Sequence, residues 1–239
     1  LIFKRESVSD TEAELARFKG ALETSMKDTE ALAADLATRV GEKEAEILQG
    51  HIMLLSDPML TGEIENSIKN DAVNSEFAIE NVCNMYADMF ASMGDELMQQ
   101  RATDMRDIKT RMQKVLMGVH SVDIASLPAG SIIVAKDLTP SMTAGINPAN
   151  VTGIVTELGG RTSHSAILAR ALEIPAVVAV ENLMELVKDG DELVLDGSTG
   201  EVFVNPEPAV RADYEARREA FLKDKKELEQ YIGKPSVTK

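Results

Sequence analysis

Apolar residues recur at three- and four-residue steps through the first half of the chain and change to short β-type runs in the second, so pattern alone predicts two kinds of architecture. Ser9 and Glu12 have capping-box spacing, and Leu15, Phe18, Leu22, Met26, Leu32 and Leu36 then trace one face of a long helix ending near Val40-Gly41. A second helix is expected from about Glu42 to Leu55. Ser56-Asp57-Pro58 stops it and supplies Asp57 as N-cap of a third, with Pro58 at the first helical position and Leu60, Ile64 and Ile68 on one face. After the polar turn at 70–75, Phe77, Val82, Met85, Met89, Met93 and Leu97 predict a fourth long helix, which continues with a kink through Met105, Ile108, Met112 and Val115 to Gly118. Methionines at this spacing are expected in a core; the alternative is a groove for a ligand or partner.

Past His120, Ile132-Ile133-Val134, Gly153-Ile154-Val155-Thr156, Ala176-Val177-Val178, Leu193-Val194-Leu195 and Val202-Phe203-Val204 read as strands. The last two flank the hairpin signal Asp196-Gly197-Ser198-Thr199-Gly200, and Val151 to Val180 reads as a strand-helix-strand unit. Pro208 to Tyr231 is charged and helical in pattern. The predicted organisation is an α/β domain over residues 1–8 and 121–207, beginning with a short strand at Leu1-Ile2-Phe3. An all-α helical bundle over 9–120 is inserted into it, and a C-terminal helix and linker occupy 208–239.

Composition narrows the function classes. With 239 residues and a formal net charge of -15, both halves of the chain being acidic, a nucleic-acid or anionic-membrane partner is disfavoured, because each needs a basic surface. No apolar run reaches the roughly 18 residues of a membrane span, and the first residues do not form a signal peptide. The single Cys83 cannot form an internal disulfide and is expected in a core, which favours the cytoplasm. The lack of an initiating Met points to a fragment. Three widely spaced His residues predict no metal site.

The segment Gly159-Gly160-Arg161-Thr162-Ser163-His164 carries the candidate chemistry. Two glycines permit a tight turn, Thr162 and Ser163 are good N-cap residues, and His164 arrives at the start of an alanine-rich helix. Helix-start N–H groups stabilise anions, and a neutral imidazole is a competent nucleophile near pH 7. The arrangement describes a phosphohistidine site; the plainer alternative is a half-exposed neighbour of the cap.

The run from Gly159 to Arg170, continued by Ala171-Leu172-Glu173-Ile174-Pro175-Ala176-Val177-Val178, resembles the swivelling phosphohistidine domain of phosphoenolpyruvate-utilising enzymes. The stretch Glu42 to Pro58, the segment Arg101 to Ile108 and the run Ala135 to Ala144 further resemble the Enzyme I family of bacterial phosphoenolpyruvate-protein phosphotransferases. That resemblance implies an α/β phosphohistidine domain with an inserted all-α subdomain that docks the phosphocarrier protein HPr. It implies phosphorylation of His164 on Nε2 and a role for Thr143 as acceptor from the other ring nitrogen. Arg161, Thr162 and Ser163 are candidate donors to the phosphoryl group, with a structural salt bridge as the alternative for Arg161. A partner face of Glu42, His51, Met53, Leu54 and Arg101 is likewise implied; for His51 the alternative is packing between subdomains. Lys43, Pro58 and Met59 depart from the acidic residues expected there. By the same resemblance the phosphoenolpyruvate site and its Mg2+ lie in a C-terminal domain beyond this chain. The chain itself would then need no cofactor, be monomeric and exchange phosphate only with HPr. The alternative family assignment is the swivelling domain of a pyruvate phosphate dikinase or phosphoenolpyruvate synthase.

Overall fold

The computed structural model describes residues 3–119 and 124–229. Helix α1, Thr11–Arg39, is capped by Asp10, one residue after the Ser9 of the sequence reading; the Asp10 carboxylate accepts from the Ala13 N–H at 3.0 Å. Helix α2 runs Glu42–Leu55 and α3 Pro58–Asp71, where Asp57 caps Met59 N at 2.8 Å and Pro58 opens the helix as expected. The anticipated fourth helix is two, α4 at Ser75–Ser92 and α5 at Glu96–Leu116, and they pack against each other. Gly94 at φ +70° breaks the helix, and Asp95 restarts it by accepting from Leu97 N at 3.1 Å.

The bundle core forms where the periodic faces meet: Phe18 of α1, Leu55 of α2, Leu60, Ile64 and Ile68 of α3, Ile79 and Cys83 of α4, and Met105, Ile108 and Met112 of α5. Burial pushes the Cys83 thiol up to about 12, so it is an inert core group. Met105 and Met112 are core as expected, but Met85, Met89 and Met93 are exposed. They flank the buried face of α4, so the period-four stripe was real and its assignment to the core was wrong. Arg17 of α1 pairs with Glu76 of α4 and also reaches the Leu116 carbonyl at 3.2 Å. Burial alone would raise the Glu76 carboxyl, yet hydrogen bonds from Arg17 and the backbone, and the Arg17 charge, hold it below its usual range. A depressed folded value contributes stability that is complete above the unfolded value, about 4.3, and lost as pH falls through the folded one. Glu76→Gln should therefore be less stable at pH 7 and lose less stability between about pH 5 and 3, read from urea midpoints by circular dichroism.

The second half forms a parallel sheet of β1 (Ser131–Ala135), β2 (Val151–Thr156) and β3 (Ala176–Val177), in the order β1-β2-β3. Helix α6 (Pro140–Ala144) joins β1 to β2, and α7 (His164–Ala171) joins β2 to β3, as the strand-helix-strand reading predicted. Ile154 of central β2 packs into the core shared with α7, while Val155 packs with Leu183 of α8 (Leu183–Leu186) and Leu195. Leu195 lies on the hairpin of β4 (Leu193–Asp196) and β5 (Glu201–Val204), directly over Gly153, where a Cβ would come within 2.4 Å of it. Helix α9, Pro208–Glu229, starts against the hairpin through Tyr214 on Phe203. Of the anticipated N-terminal strand, Leu1 and Ile2 lie outside the described residues. Ser7 forms a bridge to Val73 beside the α3–α4 turn. Residues 120–123 and 230–239, at the expected domain boundary and linker, also lie outside.

Helix α6 is the piece of the α/β domain that the bundle grips. Asp107 of α5 accepts from Ser141 N at 3.0 Å and Ser141 Oγ at 2.8 Å at its start. Arg39 of α1 donates to the carbonyls of Ala144 at 2.6 Å and Ile146 at 2.9 Å at its end. A small apolar joint lies alongside, built from Ala33, Leu36, Ala45 and Leu48 of α1 and α2 against Ala144 and Leu168.

Candidate active site

The chain leaves β2 through Glu157-Leu158, turns at Gly159 with φ +102°, and enters α7 at His164. A side chain at Gly159 would be strained at that angle. Ser163 is the N-cap: its Oγ accepts from Ala166 N at 3.4 Å and shares a hydrogen bond with Ser165 Oγ at 3.0 Å. His164 is thus the first residue of the helix, where backbone N–H groups have no intrahelical carbonyl to meet.

The His164 side chain is 22% exposed, and its Nε2 points across the subdomain junction to within 3.9 Å of Asp104 Oδ1 on α5. Burial pulls its pKa below the ordinary imidazole value; the Asp104 carboxylate opposes this, the His51 ring adds to it, and Asp107 and Asp137 oppose it more weakly. The shift favours the neutral ring, the state a nucleophile needs. Beside it opens a cleft of roughly 240 Å³, walled by Gln99, Gln100 and Thr103 of α5 and by Asp137, Gly160, Thr162 and Ser163. The lining mixes polar side chains with Leu138 and adjoins a helix start, whose N–H groups suit a small anionic group.

The predicted residues divide. Thr162 and Ser163 line the cleft with His164, although Ser163 is already committed to capping. Arg161 is exposed and makes no ion pair among the described residues, so the salt-bridge alternative is not realised. Thr143 is buried in α6, which packs on α7, but its hydroxyl donates to the carbonyls of Pro140 at 2.9 Å and Thr139 at 3.1 Å. A hydrogen bond between it and His164 is not formed in this arrangement. Of the expected partner face, Glu42 and Met53 are exposed and Leu54 is half-buried against the bundle core. His51 is corrected: it is completely buried, with Nε2 3.3 Å from Asp104 Oδ1, and the packing alternative holds because α2 turns it inward toward α5. Arg101 also turns inward, its Nη1 3.7 Å from Asp104 Oδ2, in space left by Gly50, where a Cβ would lie 2.6 Å from that nitrogen. Sequence reading missed Gln99, Gln100, Thr103, Asp104, Asp107 and Asp137. The available signal was the i, i+3 pair of acids at Asp104 and Asp107 beside the apolar Met105 and Ile108.

Residues 3–101 match the family described as PEP-utilising enzyme, N-terminal, and residues 127–200 match PEP-utilising enzyme, mobile domain. The solution structure of Enzyme I (nEIt) is similar at a TM-score of 0.78 and 39% identity, covering 92% of this chain and 90% of that one. The chain belongs to the Enzyme I family. A second Enzyme I structure, the N-terminal domain of Enzyme 1 – Nitrogen, is similar at a TM-score of 0.62 and 27% identity over 91% of this chain and 88% of that one. Among curated Enzyme I sequences, the phosphoenolpyruvate-protein phosphotransferase of Staphylococcus carnosus is 43% identical over 238 residues, all of this chain and 42% of that protein. The chain therefore spans less than half the length of the curated relatives it matches. Of the two matched regions, the mobile domain contains His164 and the whole cleft wall contributed by residues 137–163.

Among the described residues, no group of three or more His, Cys, Asp or Glu is placed to hold a metal ion, and no helix is long and apolar enough to cross a membrane.

Proposed function

We propose that this chain is the phosphohistidine-bearing half of a phosphoenolpyruvate-protein phosphotransferase, relaying a phosphoryl group through His164 Nε2 to the carrier protein HPr in the bacterial phosphotransferase system. The observation that carries it is a half-buried imidazole at the first position of α7, following Gly159-Gly160 and bordering a cleft lined by Gln99, Gln100, Thr103 and Thr162. In the transfer step a P–N bond to His164 forms as the bond from phosphorus to the donor breaks, and positioned N–H and hydroxyl donors steady the equatorial oxygens. The phosphoenolpyruvate site and its Mg2+ belong, on this reading, to the remainder of the longer protein. The chain alone exchanges phosphate only with the carrier. The test is intact mass after mixing with phosphorylated HPr, with one phosphoryl gain expected as an acid-labile, base-stable phosphoramidate. No gain would overturn the proposal.

The carrier's docking face takes in Glu42, Met53 and Leu54, and the exposed Met85, Met89 and Met93 extend it along α4. Tyr86 and Phe90, in ring contact at 6.4 Å, lie on the same helix and are partly buried against Leu54's cluster. Flexible apolar side chains beside acids suit a partner that mixes Arg with exposed apolar groups. Met53 is 69% exposed, so a charge there costs the fold little. Met53→Asp should raise the KM for phosphorylated carrier about tenfold with kcat unchanged, measured by initial transfer rates. An unchanged KM would place the docking face elsewhere.

A further inference from the structure

Three buried polar atoms without hydrogen-bond partners converge on one point at the subdomain junction: His51 Nε2, Asp104 Oδ1 and His164 Nε2. One carboxylate oxygen stands between two imidazole nitrogens, 3.3 Å from that of His51 and 3.9 Å from that of His164. Buried polar atoms normally find partners, so such a cluster in a folded interior points to a proton that changes place. The neighbouring carboxylates are otherwise engaged: Asp107 accepts from Ser141 twice, and Asp137 accepts from Leu138 N at 2.8 Å. Arg101 faces the other oxygen of Asp104, leaving Oδ1 to the two rings.

We propose that Asp104, backed by His51, is the acceptor for the Nε2 proton of resting His164. The inference rests on the phosphoryl-transfer reading above. A carboxylate beside a ring nitrogen favours the proton on that nitrogen, so the neutral nucleophile rests as its Nε2–H tautomer, aimed at Asp104. That nitrogen has no lone pair to offer until the proton leaves. The balanced step is transfer of the proton from His164 Nε2 to Asp104 Oδ1, while the freed Nε2 pair forms the bond to phosphorus and the donor's bond to phosphorus breaks; the same rule puts a proton on His51 Nε2, 3.3 Å from Oδ1, where it faces the carboxylate as a donor and holds it in place. The proton kept on Asp104 also offsets the negative charge that it would otherwise set against the phosphoryl oxygens. When the group moves on to the carrier, the proton returns to Nε2. The charged or titratable groups facing His164 are His51 from α2, Asp104 and Asp107 from α5, and Asp137 from the loop before α6. Asp104 takes the proton from the reacting atom itself, and His51, which acts through Asp104, is a positioning residue.

The test uses Asp104→Asn, which keeps the shape and cannot take a proton, and His51→Leu, which fills similar space and removes the donor toward residue 104. With phosphorylated HPr as donor, kcat should fall about 10²-fold in Asp104→Asn and about tenfold in His51→Leu, with the KM for the carrier unchanged in both. Nitrogen-15 spectra of the unphosphorylated chain should show wild-type His164 protonated on Nε2, a preference lost in Asp104→Asn. A folded Asp104→Asn with wild-type kcat overturns the proposal, as does a wild-type His164 carrying its proton on Nδ1. If Asp104→Asn loses the native spectrum, His51→Leu decides the matter, and unchanged kcat there has the same force. Absence of any phosphoryl gain in the wild type would instead overturn the transfer reading itself, which separates the two failures.

Discussion

Replacing His164 by alanine should remove all phosphoryl gain from phosphorylated HPr and leave the fold in place. The side chain sits at the first position of α7, where it contributes no cap: that work is done by Ser163 Oγ on Ala166 N. Alanine is a good helix former, and Asp104, which the ring's Nε2 faces at 3.9 Å, retains His51. The change in stability is expected to stay within about 1 kcal/mol, so loss of labelling reports chemistry and not unfolding. Intact mass decides it. Labelling of the variant at the wild-type level would move the nucleophile elsewhere, although not to His51, which is completely buried. Ser163 and Ser165 are the nearest hydroxyls, but a phosphoserine would be stable in acid and labile in base, the reverse of the expected product.

What the sequence disclosed followed from how local each signal is. Asp57-Pro58 sets a helix start within three residues, and the structure realises it with one short hydrogen bond. Leu60, Ile64 and Ile68 share a face because of helical period alone, and all three are fully buried. The strand-helix-strand unit around His164 was legible because Gly159-Gly160 and Ser163 punctuate it. The break between α4 and α5 was equally local, in Gly94-Asp95, and was overridden by an apolar repeat that happens to continue in phase across it. Periodicity also tells which side chains share a stripe but not whether anything covers it, so Met85, Met89 and Met93 were placed in a core that stops one row short of them. The rest was not local at all. His51, Asp104 and His164 come from α2, α5 and α7, and only the packing of α5 against α2 and α6, with α6 on α7, brings their polar atoms to one point. No spacing rule encodes that meeting. The same holds for Arg39, which reads as an ordinary helix-terminal cation and instead holds the end of α6.

Phe18→Ala should be the most damaging single truncation, lowering stability by about 3–5 kcal/mol and the thermal midpoint by roughly 10 °C. Phe18 is fully buried and among the largest side chains at the centre of the bundle, and the residues around it belong to four other helices, so no single helix can move in to close the gap. Against a total stability of about 5–15 kcal/mol, such a loss leaves a marginal protein. Its effect reaches the candidate active site through α1. At 29 residues that helix is roughly 43 Å long and serves two cores in turn. Leu15 and Phe18 anchor its first half in the bundle; Ala33 and Leu36 line the joint with α6 and α7, and Arg39 grips the end of α6. Loosening the first half removes the lever against which the second half holds the α/β domain, so phosphoryl transfer should fail over the same temperature range as helix loss, measured by circular dichroism and transfer rates on one sample. If the midpoint moved by less than about 3 °C, the bundle would have to collapse around the missing ring. If transfer persisted after the helices had melted, α6 and α7 would be held by the sheet alone, and the grip of Arg39 and Asp107 would not matter to the site.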